Sequence, residues 1–227
     1  MSRAIVLFSG GQDSTTCLYL AKQLYDEVHA VSIFYGQRHA SELEAAAEIV
    51  KLAKVDHTVL HLDALGEIGD SALVRAGQEL TGEGGRSDHA APNGLPSSFV
   101  PGRNLLFLSL AASVAVKLGV QDIITGVCQT DYSGYPDCRR EFIDVLEKAA
   151  TLAMPSSAGP MRVVTPLMYM TKAETVRMAA RLPGCLDALK LSVTCYNGLR
   201  PGCGTCAACV LRAQGFSSAG LTDPAQA

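Results

Sequence analysis

Ser9-Gly10-Gly11-Gln12-Asp13-Ser14-Thr15-Thr16 is the first segment whose residue types could do chemistry. Two adjacent glycines let backbone N–H groups approach an anion closely, and a helix that follows adds its partly positive N-terminus. The turn is therefore expected to hold phosphate. It lacks the Lys of the G-x-x-x-x-G-K-[ST] loop and does not fit the G-x-G-x-x-G dinucleotide fingerprint. Its hydroxyls, with Asp13 where a Lys would stand, suit a nucleotide whose pyrophosphate is held by amides and hydroxyls, with a carboxylate available for Mg²⁺. The plainer reading is a tight turn with Ser14 or Asp13 as helix cap.

Cys195, Cys203, Cys206 and Cys209 form a second group, spaced C-x7-C-x2-C-x2-C. Four thiolates in so short a span can surround one tetrahedral Zn²⁺ at about 2.3 Å each, and a site with no open position is structural. Gly202 and Gly204 suit the tight knuckle this needs. An iron–sulfur cluster and a redox pair at Cys203 and Cys206 are the competing readings. Cys17, Cys128, Cys138 and Cys185 are scattered and read as small buried residues.

The elements that must position these groups alternate along the chain. Strand candidates are Ala4–Phe8, Val28–Tyr35, His57–Leu62, Asp122–Val127 and Met161–Leu167. Helix candidates are Ser14–Tyr25, Ser41–Ala53, a buried helix over Asn104–Leu118, Arg140–Ala153 and Lys172–Arg181. In Arg140–Ala153 the apolar face is expected to carry Phe142, Val145, Leu146, Ala149 and Leu152. Thr171 and Glu174 have capping-box spacing before the last helix. Such alternation implies an α/β, Rossmann-like fold, a mainly parallel sheet with helices on both faces. Residues 1–183 are expected to form the nucleotide-binding domain and 184–227 a small metal-binding segment. Thr81–Ser98, rich in Gly, Pro, Ser and Asn, reads as a loop over a site or as an ordinary insertion.

Composition narrows the function classes. The 227 residues are 48% hydrophobic and 18% charged, which excludes a disordered tail or a coiled coil. A formal charge of −3 argues against a nucleic-acid-coating protein. No apolar run reaches the length of a spanning helix and no signal-peptide core is visible, so a cytoplasmic enzyme without membrane partners is expected.

Ser-Gly-Gly-x-Asp-Ser after the first strand resembles the signature of the PP-loop ATP pyrophosphatases. Further blocks run in order along most of the chain: Tyr35-Gly36-Gln37-Arg38-His39, Pro101-Gly102-Arg103-Asn104, Thr125-Gly126-Val127, Ser133-Gly134-Tyr135-Pro136-Asp137-Cys138-Arg139, Thr165-Pro166-Leu167 and Thr194-Cys195-Tyr196-Asn197-Gly198. Together they resemble one branch, the QueC family of 7-cyano-7-deazaguanine synthases. The resemblance implies a ligase that uses ATP twice to turn 7-carboxy-7-deazaguanine and ammonia into the nitrile. The route runs through an acyl adenylate, an amide and a second adenylate, in queuosine biosynthesis.

It assigns ATP to Phe8, Ser9, Gly10, Gly11, Gln12, Asp13, Ser14, Thr15, Thr16, Cys17 and Leu18, and one structural zinc to the four clustered cysteines. Ser2 stands where a glutaminase would need an N-terminal Cys, so free ammonia is the expected nitrogen source. Given that substrate, Asp131 or Asp137 could accept from a guanine-like edge and Tyr132 or Tyr135 could stack on the ring. Arg38, Arg103 and Arg139 could hold its carboxylate or the phosphates. Asp13, Arg38, Arg103, Asp131 and Asp137 are thus the candidate catalytic residues. For each the competing reading is a solvated loop salt bridge or a core-edge residue. His39 reads as a base or as a polar helix-start residue, and Lys172 could reach a phosphate. Gln129 departs from the family's usual Glu. A homodimer is a possible assembly. A tRNA-thiolating PP-loop enzyme and a non-catalytic ATP-binding module remain as alternatives.

Overall fold

The computed structural model describes residues 1–36, 41–68, 71, 73, 95, 96, 98–130 and 134–226, with 66–68 as backbone only. The order of elements is β1 (Arg3–Leu7), α1 (Gln12–Leu24), β2 (Glu27–Phe34), α2 (Ser41–Ala53), β3 (Asp56–His61), α3 (Asp63–Ile68), α4 (Arg103–Leu118), β4 (Asp122–Ile124), α5 (Arg140–Ala153), β5 (Arg162–Val164), α6 (Lys172–Arg181), α7 (Cys185–Leu191) and α8 (Ala207–Ala219). The five strands pair in parallel, in the order β3-β2-β1-β4-β5. Chain order reverses between β1 and β4, and in such a sheet the crevice beyond those two strand ends takes the ligand. The anticipated Rossmann-like architecture is what the chain adopts.

Alternation along β1 splits the core in two. Ala4, Val6 and Phe8 face one layer with α1, α2, α6, α7 and α8, whereas Ile5 faces α4 and α5. The C-terminal segment shares the first core, since Cys185, Ala188, Leu189 and Phe216 pack there with Cys17 and Leu18 of α1. Lys172–Arg181 starts on a capping box: Thr171 Oγ1 accepts from Glu174 N at 3.3 Å, and Thr171 N donates to Glu174 Oε2 at 2.8 Å.

Two helices differ from expectation. On α5 the buried stripe is Ile143 and Leu146, while Val145 is 60% and Leu152 87% exposed. Both stripes are apolar and lie side by side on the helix, so periodicity located the surface but chose the wrong centre. On α4, Leu108, Ala111, Ala112 and Ala115 are buried, but Leu105 and Leu106 are exposed among the described residues. Strands β4 and β5 stop at Ile124 and Val164, short of the expected Val127 and Leu167, because the chain beyond β4 turns to line the crevice.

Candidate active site

Where β1 ends, Gly10 adopts φ +79° and opens the turn. A side chain there is excluded twice: the conformation disfavours it, and a Cβ would lie 2.7 Å from Glu42 O and 2.8 Å from Ala46 N. The first turn of α2 is thereby pressed against the loop. Ser9 and Ser14 hydroxyls sit 3.1 Å apart, and Ser14 Oγ donates to Gly11 O at 3.2 Å. Gln12 is 3% exposed, yet its Nε2 has no hydrogen-bond partner among the described residues, and neither do Thr15 Oγ1 and Asp13 Oδ1. The other Asp13 oxygen pairs with Lys172 Nζ at 2.5 Å. Buried polar groups are almost always satisfied, so this cluster of unpaired donors and acceptors is the mark of a ligand-binding turn. Its donor set fits phosphate, and Asp13 keeps one carboxylate oxygen without a partner among the described residues.

The turn borders a cavity of about 340 Å³ at the β1/β4 crevice. Ser32, Tyr35, Glu42, Arg103, Asn104, Cys128, Tyr135, Lys172, Thr194, Cys195, Tyr196 and Arg212 line it together with the loop. Arg103 hydrogen-bonds Tyr35, and Tyr135, Tyr196 and Ser98 form a hydroxyl cluster in which Ser98 Oγ and Tyr135 Oη are 2.6 Å apart. Burial pushes the Tyr35 and Tyr196 phenols up, so both stay neutral donors. Burial alone would weaken the Arg103 charge, but Tyr35, Tyr135 and Asp137 outweigh it and Arg103 remains a fixed cation. Burial raises Glu42 to about 7, with Arg103 opposing the shift.

Two polar residues of these loops hold helices. Asp137 Oδ2 accepts from Asn104 N at 3.1 Å, capping α4 next to Arg103, while Asn104 Nδ2 donates to Asp137 O at 3.2 Å. Its other oxygen is buried without a hydrogen-bond partner among the described residues. Gln129 Oε1 accepts from Arg140 N at 3.0 Å at the start of α5. An amide serves there as well as a carboxylate, which accounts for the departure from Glu.

The four clustered cysteines place their sulfurs within 4.8 Å of one another. Cys203 and Cys209 Sγ are 3.9 Å apart, close to the edge of about 3.8 Å in a tetrahedron with 2.3 Å bonds. Gly202, at φ +146°, is where the chain folds back: a Cβ there would lie 3.1 Å from Cys209 Sγ. The donor set and spacing fit a metal ion. Beside it, Arg212 of α8 uses all five N–H donors. They go to Asp223 Oδ2 and Oδ1 at 2.6 and 2.8 Å, Leu189 O at 3.0 Å, Ser192 Oγ at 2.8 Å and Thr194 Oγ1 at 3.2 Å. Thr194 Oγ1 also accepts from Gln12 N at 3.4 Å, and Val193 N donates to Gly10 O at 3.1 Å. The cysteine segment is thus bonded directly to the phosphate turn.

Among the sequence candidates, Phe8, Ser9, Gly11, Gln12, Asp13, Ser14, Arg103 and Cys195 line this cavity, whereas Gly10, Thr15 and Asp137 are not part of its lining. Thr16, Cys17 and Leu18 do not line it either: they are fully buried, Cys17 and Leu18 within the core and Thr16 Oγ1 on Gln12 O at 3.0 Å, because α1 turns that face onto the sheet. Arg139 is exposed and outside the lining. Arg38, His39, Asp131, Tyr132 and most of Thr81–Ser98 lie outside the described residues. Sequence reasoning did not single out Glu42 or Arg212, both of which line the cavity. The available signal for Arg212 was a single Arg within an otherwise small and apolar helix.

A family model described as queuosine biosynthesis protein QueC matches residues 3–220. The chain is 49% identical to a 7-cyano-7-deazaguanine synthase of Laribacter hongkongensis, over 97% of this chain and 93% of that one. It is 51% identical to another of that name from Chromobacterium violaceum, over 98% and 92%. Its fold is similar to the crystal structure of a predicted subunit of tRNA methyltransferase from Methanocaldococcus jannaschii. That likeness has a TM-score of 0.50 at 20% identity, over 79% of this chain and 75% of that one.

Proposed function

The chain belongs to the QueC family, and from that premise we propose that it is an ATP-dependent carbon–nitrogen ligase making 7-cyano-7-deazaguanine from 7-carboxy-7-deazaguanine and ammonia. The observation that supports this most is the turn after β1, where Gln12 and Asp13 each bury a polar atom without a hydrogen-bond partner among the described residues and line a cavity of small-molecule size at the sheet's switch point.

A substrate carboxylate oxygen attacks the α-phosphorus of ATP, the α–β phosphoanhydride bond breaks, and pyrophosphate leaves along the Gly10 turn. Gln12 Nε2 and the turn amides receive its charge, in a site whose donors are already in place. Ammonia then displaces AMP to give the amide. The amide oxygen attacks a second ATP, and loss of AMP with the nitrogen's protons leaves the nitrile. No residue becomes covalently attached, and catalysis is positioning and charge stabilisation. Arg103 holds the substrate's anionic end, and Asp137 acts through it by capping α4. Arg38 and Asp131 are assigned to substrate binding with it, and Lys172 keeps Asp13 oriented. Mg²⁺ at Asp13 would supply charge neutralisation on the phosphates. Zn²⁺ on Cys195, Cys203, Cys206 and Cys209 would tie the C-terminal segment in place. Among the described residues no helix is long and apolar enough to cross a membrane.

Purified protein given Mg-ATP, ammonium and 7-carboxy-7-deazaguanine tests the reading. Nitrile by mass spectrometry, with AMP and pyrophosphate in place of ADP, is expected; ADP release or no nucleotide cleavage by metal-replete protein overturns it.

A further inference from the structure

Glu42 has no place in the chemistry above, yet it lines the cavity. It is the second residue of α2, and Gly10 holds that turn against the phosphate loop so closely that a methyl group would not fit between them. Among the described residues no hydrogen bond acts on its carboxylate, and the residue lines the cavity. Among the described residues, the charged and titratable groups that face it are Arg103 from α4, which stays cationic, and Tyr35 beyond β2, which stays neutral. Arg103, a fixed cation, and Glu42, whose carboxylate makes no hydrogen bond among the described residues, therefore line the same cavity.

Taking the proposed reaction as given, we propose that Glu42 is the general base that binds ammonium and takes a proton from it beside the acyl adenylate. The two substrates of that step have opposite charges, and the cavity offers a partner for each. Arg103 meets the oxygens of the activated carboxyl group, and Glu42 meets the cationic nucleophile next to the carbon it must attack. Ammonium is not a nucleophile until it loses a proton. An N–H bond breaks, the proton goes to a Glu42 oxygen, and the freed lone pair forms the C–N bond. The C–O bond to AMP then breaks, its electrons staying on the phosphate, which takes the second proton from nitrogen. Water removes the first proton from Glu42 once the products leave. Burial supports the assignment, because a carboxyl group brought to about 7 both accepts and returns a proton near neutrality.

Glu42→Gln tests it, with hydroxylamine as the comparison nucleophile, since hydroxylamine is largely uncharged at neutral pH and ammonia is almost wholly protonated. The expected result is a fall of about 100-fold in the ratio of kcat/KM for ammonium to that for hydroxylamine at neutral pH. Ammonium turnover by the variant should recover as pH rises and follow free ammonia alone. Glu42→Asp should restore part of the ratio. Hydroxamate formation shows at the same time that the variant is folded and adenylates its substrate. An unchanged ratio overturns the proposal, and so does a raised KM for the deazaguanine acid with the ratio intact, which would make Glu42 a contact to the purine edge. Failure of the underlying function is read separately, as no substrate-dependent ATP–pyrophosphate exchange by the unaltered enzyme.

Discussion

The cavity has two polar sides built on opposite rules. At the turn after β1, Gln12, Asp13 and Thr15 bury atoms that no described residue satisfies. At the C-terminal side, Arg212 is 5% exposed and every one of its N–H donors is used. A buried group left unpaired costs about 1–3 kcal/mol, so the first side is destabilised in the free protein and the second is not. The difference separates the part that awaits a ligand from the part that is scaffold. Thr194 joins them, accepting from Arg212 and from the Gln12 amide.

That contrast can be broken hardest at the cysteines. Cys206→Ser is expected to cut bound metal from one per chain to near zero and to lower Tm by about 10 °C or more, as loss of several kcal/mol does at this size. Elemental analysis and calorimetry read both. Next in size, Arg212→Met strands Asp223 inside the protein and should cost about 3–5 kcal/mol by urea unfolding. Arg212→Met with Asp223→Leu should recover much of the loss, because scaffold pairs are replaceable as a pair.

Thr15→Val sharpens the contrast from the other side. Removing an unpaired buried hydroxyl should raise unfolding stability by about 1 kcal/mol without nucleotide, while the gain in Tm that ATP brings shrinks. The smallest effect is one of pH. Glu42 is raised from 4.5 to about 7 in the folded protein. The native state therefore holds a proton that the unfolded chain has already lost over that interval, and stability falls as pH rises from about 4.5 through 7. Glu42→Gln should flatten that slope in urea titrations across the same interval.

Much of this was legible in the residue pattern, and the gaps have physical reasons. Apolar runs bounded by turns located all five strands, and α2, α5 and α6 begin and end where expected, because period and caps agree there. Helices α7 and α8 were not anticipated: α8 carries Cys, Gly and Ser through its length and has little apolar periodicity to read. The glycine turn and the cysteine cluster are local in sequence, so spacing alone draws attention to their residues, and the four cysteine sulfurs do come together. Glu42 and Arg212 owe their position to contacts far away in sequence, and no window along the chain contains the partner that gives each its role.

One consequence concerns the order in which the chain is made. Gly10 and Gln12 are made well before their partners, the Val193 amide and the Thr194 hydroxyl, which follow some 180 positions later. Thr194 is itself anchored by Arg212, and Arg212 by Asp223. During synthesis the strands and α1 can form, yet the nucleotide turn stays unfinished until the last helix has emerged and folded back. A nascent chain, or one clipped before Val193, would thus carry a recognisable glycine turn that lacks the bonds Val193 and Thr194 bring to it.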